Sequence, residues 1–276
     1  MLRIDDGAVK VFESDLYRTT STVVVTDTHV LVADPCWLPR EVEEIRAYVE
    51  RVRGDRQVAL LFTHSDFDHI IGWRAFPDAI VVASGSFARS PAAERERNLQ
   101  QIREFDDKYY LKRNYEIAFP NVDHPMDGDG TALALGDARL VCYQAPGHNA
   151  DGMMTVVEPY GILIAGDYLS DAEFPFIFHG SADYEETLLK FDAIAERHDI
   201  KLFVPGHGST SSDSAHMRAR RDADLRYIRE LRRLIQAGDE EGAARLIADA
   251  PFPLNQRKYH EDNANKIRQE LADAAR

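Results

Sequence analysis

The sequence predicts an α/β fold in which two β-sheets pack face to face with helices on the outside. Short β-branched runs gather in two halves of the chain, and each half passes into segments whose apolar residues recur at helical spacing. No internal repeat or low-complexity tract interrupts this pattern, so a solenoid or a disordered array is excluded.

The first half opens with three strand-like runs, VKVF, TSTVVVTD from Thr20 and HVLVADP from His29, separated by polar turn residues. In LPREVEEIRAYVERV, from Leu38, the residues Val42, Ile45, Val49 and Val52 predict an amphipathic helix. VALLF, from Val58, is a continuous apolar run and predicts a buried strand. The unit then repeats in kind: AIVVAS from Ala79 as strand, AAERERNLQQIREFDDKYY from Ala92 as a charged helix. Its tyrosine-rich tail, KYYLKRNYEIAFP, reads either as part of a helical cap over residues 86–120 or as an ordinary helix-to-strand connection. In the second half ARLVCYQ from Ala138, MMTVVE from Met153 and GILIAGD from Gly161 predict strands broken by Pro-Gly and Pro-Tyr-Gly turns. A helix from Tyr184, a short strand KLFV from Lys201 and three helical patterns in a C-terminal extension, 213–276, complete the chain. One elaborated domain over 1–276 accommodates all of it.

Composition narrows the partners. The 276 residues carry a formal charge of −14, from 33 Lys plus Arg against 47 Asp plus Glu, so a nucleic-acid backbone is repelled on average. Cys36 and Cys142 are the two cysteines; they form no closely spaced pair and are expected to be buried small hydrophobes in a reducing setting. The N-terminus is charged from its third residue, and no stretch approaches the roughly 20 apolar residues that span a bilayer. The expectation is a cytoplasmic protein with a small-molecule substrate, no membrane and no nucleic acid; the oligomeric state is open and admits a homodimer.

The chemistry concentrates at strand ends. VALLF runs into THSDFDHIIG, which puts His64, Asp66, Asp68 and His69 within six residues at the carboxyl end of a buried strand. In an extended segment, alternation points His64, Asp66 and Asp68 the same way, with a turn at His69 redirecting its ring. A polar surface loop is the plain alternative for such a run. The setting recurs, however: His148 follows LVCYQ in APGHNADG, Asp167 ends GILIAGD, and His207 follows KLFV in VPGHG. Imidazole together with carboxylate suits zinc, iron or manganese better than calcium.

On these residues the sequence resembles the metallo-β-lactamase superfamily, through VLVADP, THSDFDH, PGH, AGD and PGHG. The resemblance implies an αββα sandwich of two mixed sheets and a dinuclear metal site. It implies that His64, Asp66 and His148 hold one divalent ion, that Asp68, His69 and His207 hold the other, and that Asp167 bridges them. The family motif HxHxDH has a histidine where this chain has Asp66. That makes the site richer in carboxylate, similar to the flavodiiron variant with its glutamate, and moves preference toward iron or manganese without excluding zinc. Asp66 as a supporting residue outside the ligand set is the other reading, and Asp151 is expected to support a ligand by a hydrogen bond.

Two such ions share a water, bring its pKa toward neutrality and orient it as a bridging hydroxide, so no serine or cysteine nucleophile is needed. Asp68 and Asp167 are the catalytic candidates, and the proton for a leaving group comes from metal-bound water, Asp68 or a nearby residue. The expected reaction is hydrolysis of an ester, thioester or lactone. Alternatives are a small-molecule phosphodiesterase, an iron-dependent oxidoreductase of the flavodiiron or dioxygenase type, and a non-catalytic metal-stabilised binding protein. Phe174, Phe176, Phe178, Tyr109, Arg113 and His260 are open either as pocket lining or as ordinary core and connection residues. His260 and Asn263 share a face if their segment is a helix start.

Overall fold

The computed structural model describes residues 2–5 and 7–276, with side chains from residue 7 onward. In chain order the first half contains β1 (Leu2–Asp5), β2 (Val9–Glu13), β3 (Thr20–Val25), β4 (His29–Ala33), α1 (Pro39–Arg53) and β5 (Gln57–Leu61). It continues through the single turn α2 (Phe67–Ile70), β6 (Ile80–Ser84), the short α3 (Gly85–Ala88), α4 (Ala92–Lys108) and β7 (His124–Met126). The second half contains β8 (Thr131–Leu135), β9 (Ala138–Gln144), β10 (Met153–Glu158), β11 (Ile162–Ile164), α5 (Ser181–Arg197) and β12 (Leu202–Val204). Three helices follow, α6 (Ser214–Ala237), α7 (Glu240–Arg245) and α8 (Pro253–Ala274).

β1 to β7 form one sheet in sequence order, antiparallel as far as β4 and parallel from β4 to β7. The second sheet has the order β12-β11-β10-β9-β8 and is antiparallel except for β11 and β12. Both sheets are therefore mixed. Side-chain alternation divides the interior into three apolar layers. Leu31, Ala33, Ala59 and Leu61 of the first sheet pack with Leu140, Cys142, Val157 and Ile164 of the second. Val30, Val32, Val58 and Leu60 turn the other way, onto Val42, Ile45 and Val49 of α1. Val141, Met154, Val156 and Leu163 likewise meet Leu188 and Phe191 of α5 and Ile228 and Leu231 of α6. Strands buried on both faces have no solvent side to alternate with, and this explains their unbroken apolar sequences. The result is the αββα sandwich.

Several local expectations need correction. The extended path after β5 ends at Asp66, which sits at the N-cap of α2, so Asp68 belongs to a helical turn rather than to the alternating segment, and His69 follows it in that turn. β1, β7 and β8 lie in stretches where the sequence pattern predicts no strand. Asn263 and His260 are not at a polar helix start: both are buried in the body of α8. Among the described residues, no helix is long and apolar enough to cross a membrane.

Candidate metal centre

All seven sequence-predicted site residues converge at the carboxyl ends of the strands. His64, Asp66, Asp68 and His69 come from the segment after β5, while His148, Asp167 and His207 come from the turns after β9, β11 and β12. They fall into two sets of mutually close donor atoms, His64, Asp66, His148 and Asp167 in one and Asp68, His69 and His207 in the other. Asp167 faces both. Its Oδ2 is 3.5 Å from His64 Nε2 and 3.3 Å from His148 Nε2, and also 3.3 Å from His207 Nε2; its Oδ1 is 3.2 Å from His69 Nε2. Asp66 Oδ2 lies 3.0 Å from His148 Nε2 and 3.6 Å from His64 Nε2. Asp68 Oδ2 lies 3.6 and 3.7 Å from the Nε2 atoms of His207 and His69. The turn at Pro205 has to carry glycine next, because a Cβ at Gly206 would collide with Asp167 Oδ1.

The far side of each imidazole fixes its near side. His148 Nδ1 lies 2.8 Å from the Phe176 carbonyl and His207 Nδ1 2.9 Å from the Tyr17 carbonyl, and a carbonyl can only accept. His69 Nδ1 is 3.0 Å from Asp34 Oδ2. Thr63 Oγ1 donates to Asp34 Oδ2 at 2.6 Å, which leaves it to accept from His64 Nδ1 at 3.0 Å. With Nδ1 serving as donor in all four rings, Nε2 is the nitrogen each ring turns toward the cluster, and it presents a lone pair there once a metal ion displaces its proton, the arrangement that metal-binding histidines need. Asn149 Nδ2 donates to Asp66 Oδ1 at 2.6 Å and so aims Oδ2 inward.

Four buried side-chain polar atoms have no hydrogen-bond partner among the described residues, and two of them are His64 Nε2 and Asp167 Oδ1. Although Asp167 Oδ1 is close to His69, the contact lacks hydrogen-bonding geometry. Atoms of this kind, buried and unpaired, are costly unless something fills the space between them. The charges call for a cation. Burial opposes ionisation of Asp66 and Asp167, yet the surrounding histidines hold both carboxyls well below the usual range. Burial and the neighbouring His69 oppose protonation of His64, yet Asp167 and Asp66 carry it up to about 10. Against the cost of burial, Asp167, Asp68 and Asp34 raise His69, and Glu173, Asp167 and Asp68 raise His207. Donor types, orientation and charge therefore all fit divalent metal ions.

A family model of the metallo-beta-lactamase superfamily matches residues 15–207, well over half of the chain. The chain belongs to the metallo-beta-lactamase superfamily. Solved structures agree on the fold. A metallo-beta-lactamase family protein of Thermus thermophilus is 18% identical, with a TM-score of 0.66 over 97% of this chain and 94% of that one. A metallo-beta-lactamase from Pontibacter korlensis is 17% identical, with a TM-score of 0.55 over 80% and 98%. An archaeal superfamily protein from Sulfolobus tokodaii is 16% identical, with a TM-score of 0.55 over 80% and 86%. No curated protein matches the sequence. Superfamily members are mostly metal-dependent hydrolases.

In this metallo-beta-lactamase fold a cleft of about 580 Å³ opens onto the cluster. Phe176, Phe178, Tyr259, Tyr17 and Phe67 line it, together with Glu94, Arg97, Asn98 and Gln101 of α4 and Asn255 and Lys258 of α8. Of the six residues left open by the sequence, Phe176 and Phe178 face the cleft and the other four do not. Phe174 stacks on Tyr227, with centroids 4.8 Å apart. His260 bonds Tyr227 Oη and the Ala243 carbonyl. Tyr109 packs on Phe105. Arg113 is almost wholly buried, paired with Asp106 at 2.9 Å and donating to the Trp37 carbonyl. Among the described residues Asp151 bonds none of the seven side chains; its carboxylate is 3.5 Å from the Ser65 N–H and props the loop that carries His64 and Asp66 instead. Sequence reasoning missed Asp34, Thr63, Asn149 and Tyr259. Asp34 alone left a signal, as an acid at the end of a buried strand.

Proposed function

We propose that this chain is a dinuclear metal-dependent hydrolase acting on an ester, thioester or lactone of a small molecule. The observation that carries the reading is the position of Asp167, whose carboxylate lies within 3.5 Å of an Nε2 atom from each of the four histidines. In this reading His64, Asp66 and His148 hold one divalent ion, Asp68, His69 and His207 hold the other, and Asp167 is shared. When bound, the ions supply Lewis acidity toward a carbonyl oxygen and an acidified water. The chain does the rest. Asp34, Thr63 and the carbonyls of Tyr17 and Phe176 keep the four Nε2 lone pairs directed at the centre. Asp68 and Asp167 belong to the cleft wall as well as to the cluster, and we assign them to the chemical step. Asp167 places negative charge between the two sets, and Asp68, as a carboxylate on the cleft wall, is placed to accept a hydrogen bond from the attacking water. Phe176, Phe178 and Tyr259 offer the apolar wall for an acyl or alkyl group. The two cysteines, both free and buried, suit a cytoplasmic setting.

Asp66 favours a second reading. An oxygen donor in place of the family's imidazole suits iron or manganese, and an iron site opens oxidoreductase chemistry. Protein loaded separately with zinc, manganese and iron, and assayed on lactone, thioester and phosphodiester panels, separates these. The expected outcome is about two ions per chain and hydrolysis of acyl substrates. Turnover of phosphodiesters alone, or oxygen consumption by the iron form with no hydrolysis, would sink the proposal.

A further inference from the structure

The cleft holds one carboxylate that the metal reading leaves unused. Glu173 lines it beside the cluster. The Glu173 N–H donates to Ser170 Oγ at 3.1 Å, and Ser170 Oγ donates in turn to the His207 carbonyl at 2.9 Å, so the residue is fixed relative to the ligands. Among the described residues, no side chain donates a hydrogen bond to its carboxylate and no Lys or Arg pairs with it. Glu173 is half-buried on the wall of the cleft. The cleft's own side-chain cations are engaged elsewhere: Lys258 is 2.8 Å from Asp262, and Arg97 is 3.9 Å from Glu94.

The same cleft is rich in aromatic faces. Phe176 stacks on Tyr259 with centroids 4.2 Å apart and planes 15° apart, and Phe178 stands 6.3 Å from Tyr259 at 60°. Tyr17 and Phe67 line the remaining wall. A ring face attracts a cation through its quadrupole, and alkyl groups on a nitrogen bury apolar surface against the same ring. An ordinary acyl chain would explain the rings but not the unpaired carboxylate. A hydroxyl or amide would suit the carboxylate but gain little from the rings. A substituted ammonium group uses both, and the strongly negative chain, at −14, draws cations toward it.

We propose that Glu173, with the wall formed by Phe176, Phe178 and Tyr259, is a recognition site for a substituted ammonium group carried by the substrate. The word substrate rests on the hydrolase reading; the recognition site does not. Calorimetric titration of the metal-loaded full chain with tetramethylammonium chloride, at constant ionic strength, tests it directly, with tert-butanol as the neutral probe of similar shape. Tetramethylammonium is expected to bind saturably and tert-butanol not to bind. Glu173→Gln is expected to weaken binding roughly tenfold and Tyr259→Leu several-fold, with metal content and melting temperature as in the parent. Absence of binding, equal binding of the neutral probe, or equal binding by Glu173→Gln overturns the proposal. Loss of metal from Glu173→Gln also overturns it, since the carboxylate then serves the ions. A second arm compares a choline ester with its uncharged 3,3-dimethylbutyl isostere. The parent is expected to favour the charged ester through KM, and Glu173→Gln to lose that preference. If neither ester is turned over while tetramethylammonium binding still depends on Glu173, the recognition site stands and the hydrolase reading is decided by the lactone and thioester panel.

Discussion

Asp34 shows how much of the site depends on residues that do not face its centre. Its Oδ1 accepts from Thr63 N at 3.0 Å, while Oδ2 lies 2.6 Å from Thr63 Oγ1 and 3.0 Å from His69 Nδ1. In Asp34→Asn one of these oxygens becomes an NH₂ group, which meets a donor and cannot accept from it. His69 then loses the partner that holds its proton on Nδ1, and its Nε2 lone pair is no longer secured. We expect metal affinity to fall about 10–100-fold, read as metal retained after dialysis against graded chelator, with an unchanged far-UV spectrum. Retention equal to the parent would mean that Asp34 does not orient His69. The contrast with the seven candidate ligands is instructive. His64, Asp66, Asp68 and His69 stood out as a polar run at the end of an apolar strand, and His148, Asp167 and His207 as polar residues in small-residue turns after apolar runs. The partners of their outer nitrogens did not. Tyr17 and Phe176 act through backbone carbonyls, which carry no side-chain signal, and Tyr17 is 190 residues from His207 in sequence.

Secondary-structure elements were legible where burial is two-sided or the period is long. β4, β5 and β6 read as apolar runs because both their faces are covered, and α1 shows its apolar spacing over 15 residues. Elements that lack these features escaped. β7 is three residues, HPM, at the sheet edge, and includes Pro125. β8, TALAL, is an edge strand made of alanine and leucine, both good helix formers, after its leading threonine. α8 was legible as a helix but its task was not. From it Asn263 accepts from Ile177 N at 2.8 Å and donates to the Pro175 carbonyl at 2.6 Å, which clamps the segment bearing Phe176 and Phe178. Asn263→Ala leaves both buried backbone groups unpaired and is expected to cost about 2–4 kcal/mol, visible as a lower melting temperature. KM should rise as the aromatic wall loosens, while metal content stays level because the clamp holds no ligand. An unaltered melting temperature would show that water replaces the clamp.

At the scale of the whole molecule, the proposed ions join two sheets that are separate in sequence. The set His64, Asp66 and His148 draws two residues from the first sheet and one from the second, and so does the set Asp68, His69 and His207. Apart from the ligands, the sheets are held by the apolar layer between them and by contacts such as Thr20 N to the Gly206 carbonyl at 2.7 Å. None of the three apolar layers uses a ligand side chain, so removing the metal should weaken the sandwich without dissolving it. Mass action gives the size: free metal at about 100 times its Kd stabilises the folded state by about 2.7 kcal/mol per site. A domain of this length shifts by roughly 2–4 °C per kcal/mol, so chelation is expected to lower the melting temperature by about 5–10 °C for one site and by more for two. The far-UV spectrum at 25 °C should be retained, because protons taken up by His64, His69 and His207 replace the ions as partners of the three aspartates. The decisive comparison is a pair of melting curves, one with chelator and one with metal added back. Identical curves would mean that the seven side chains do not bind metal as a bridge between sheets, whereas loss of secondary structure on chelation would mean that the apolar layers cannot hold the sandwich alone.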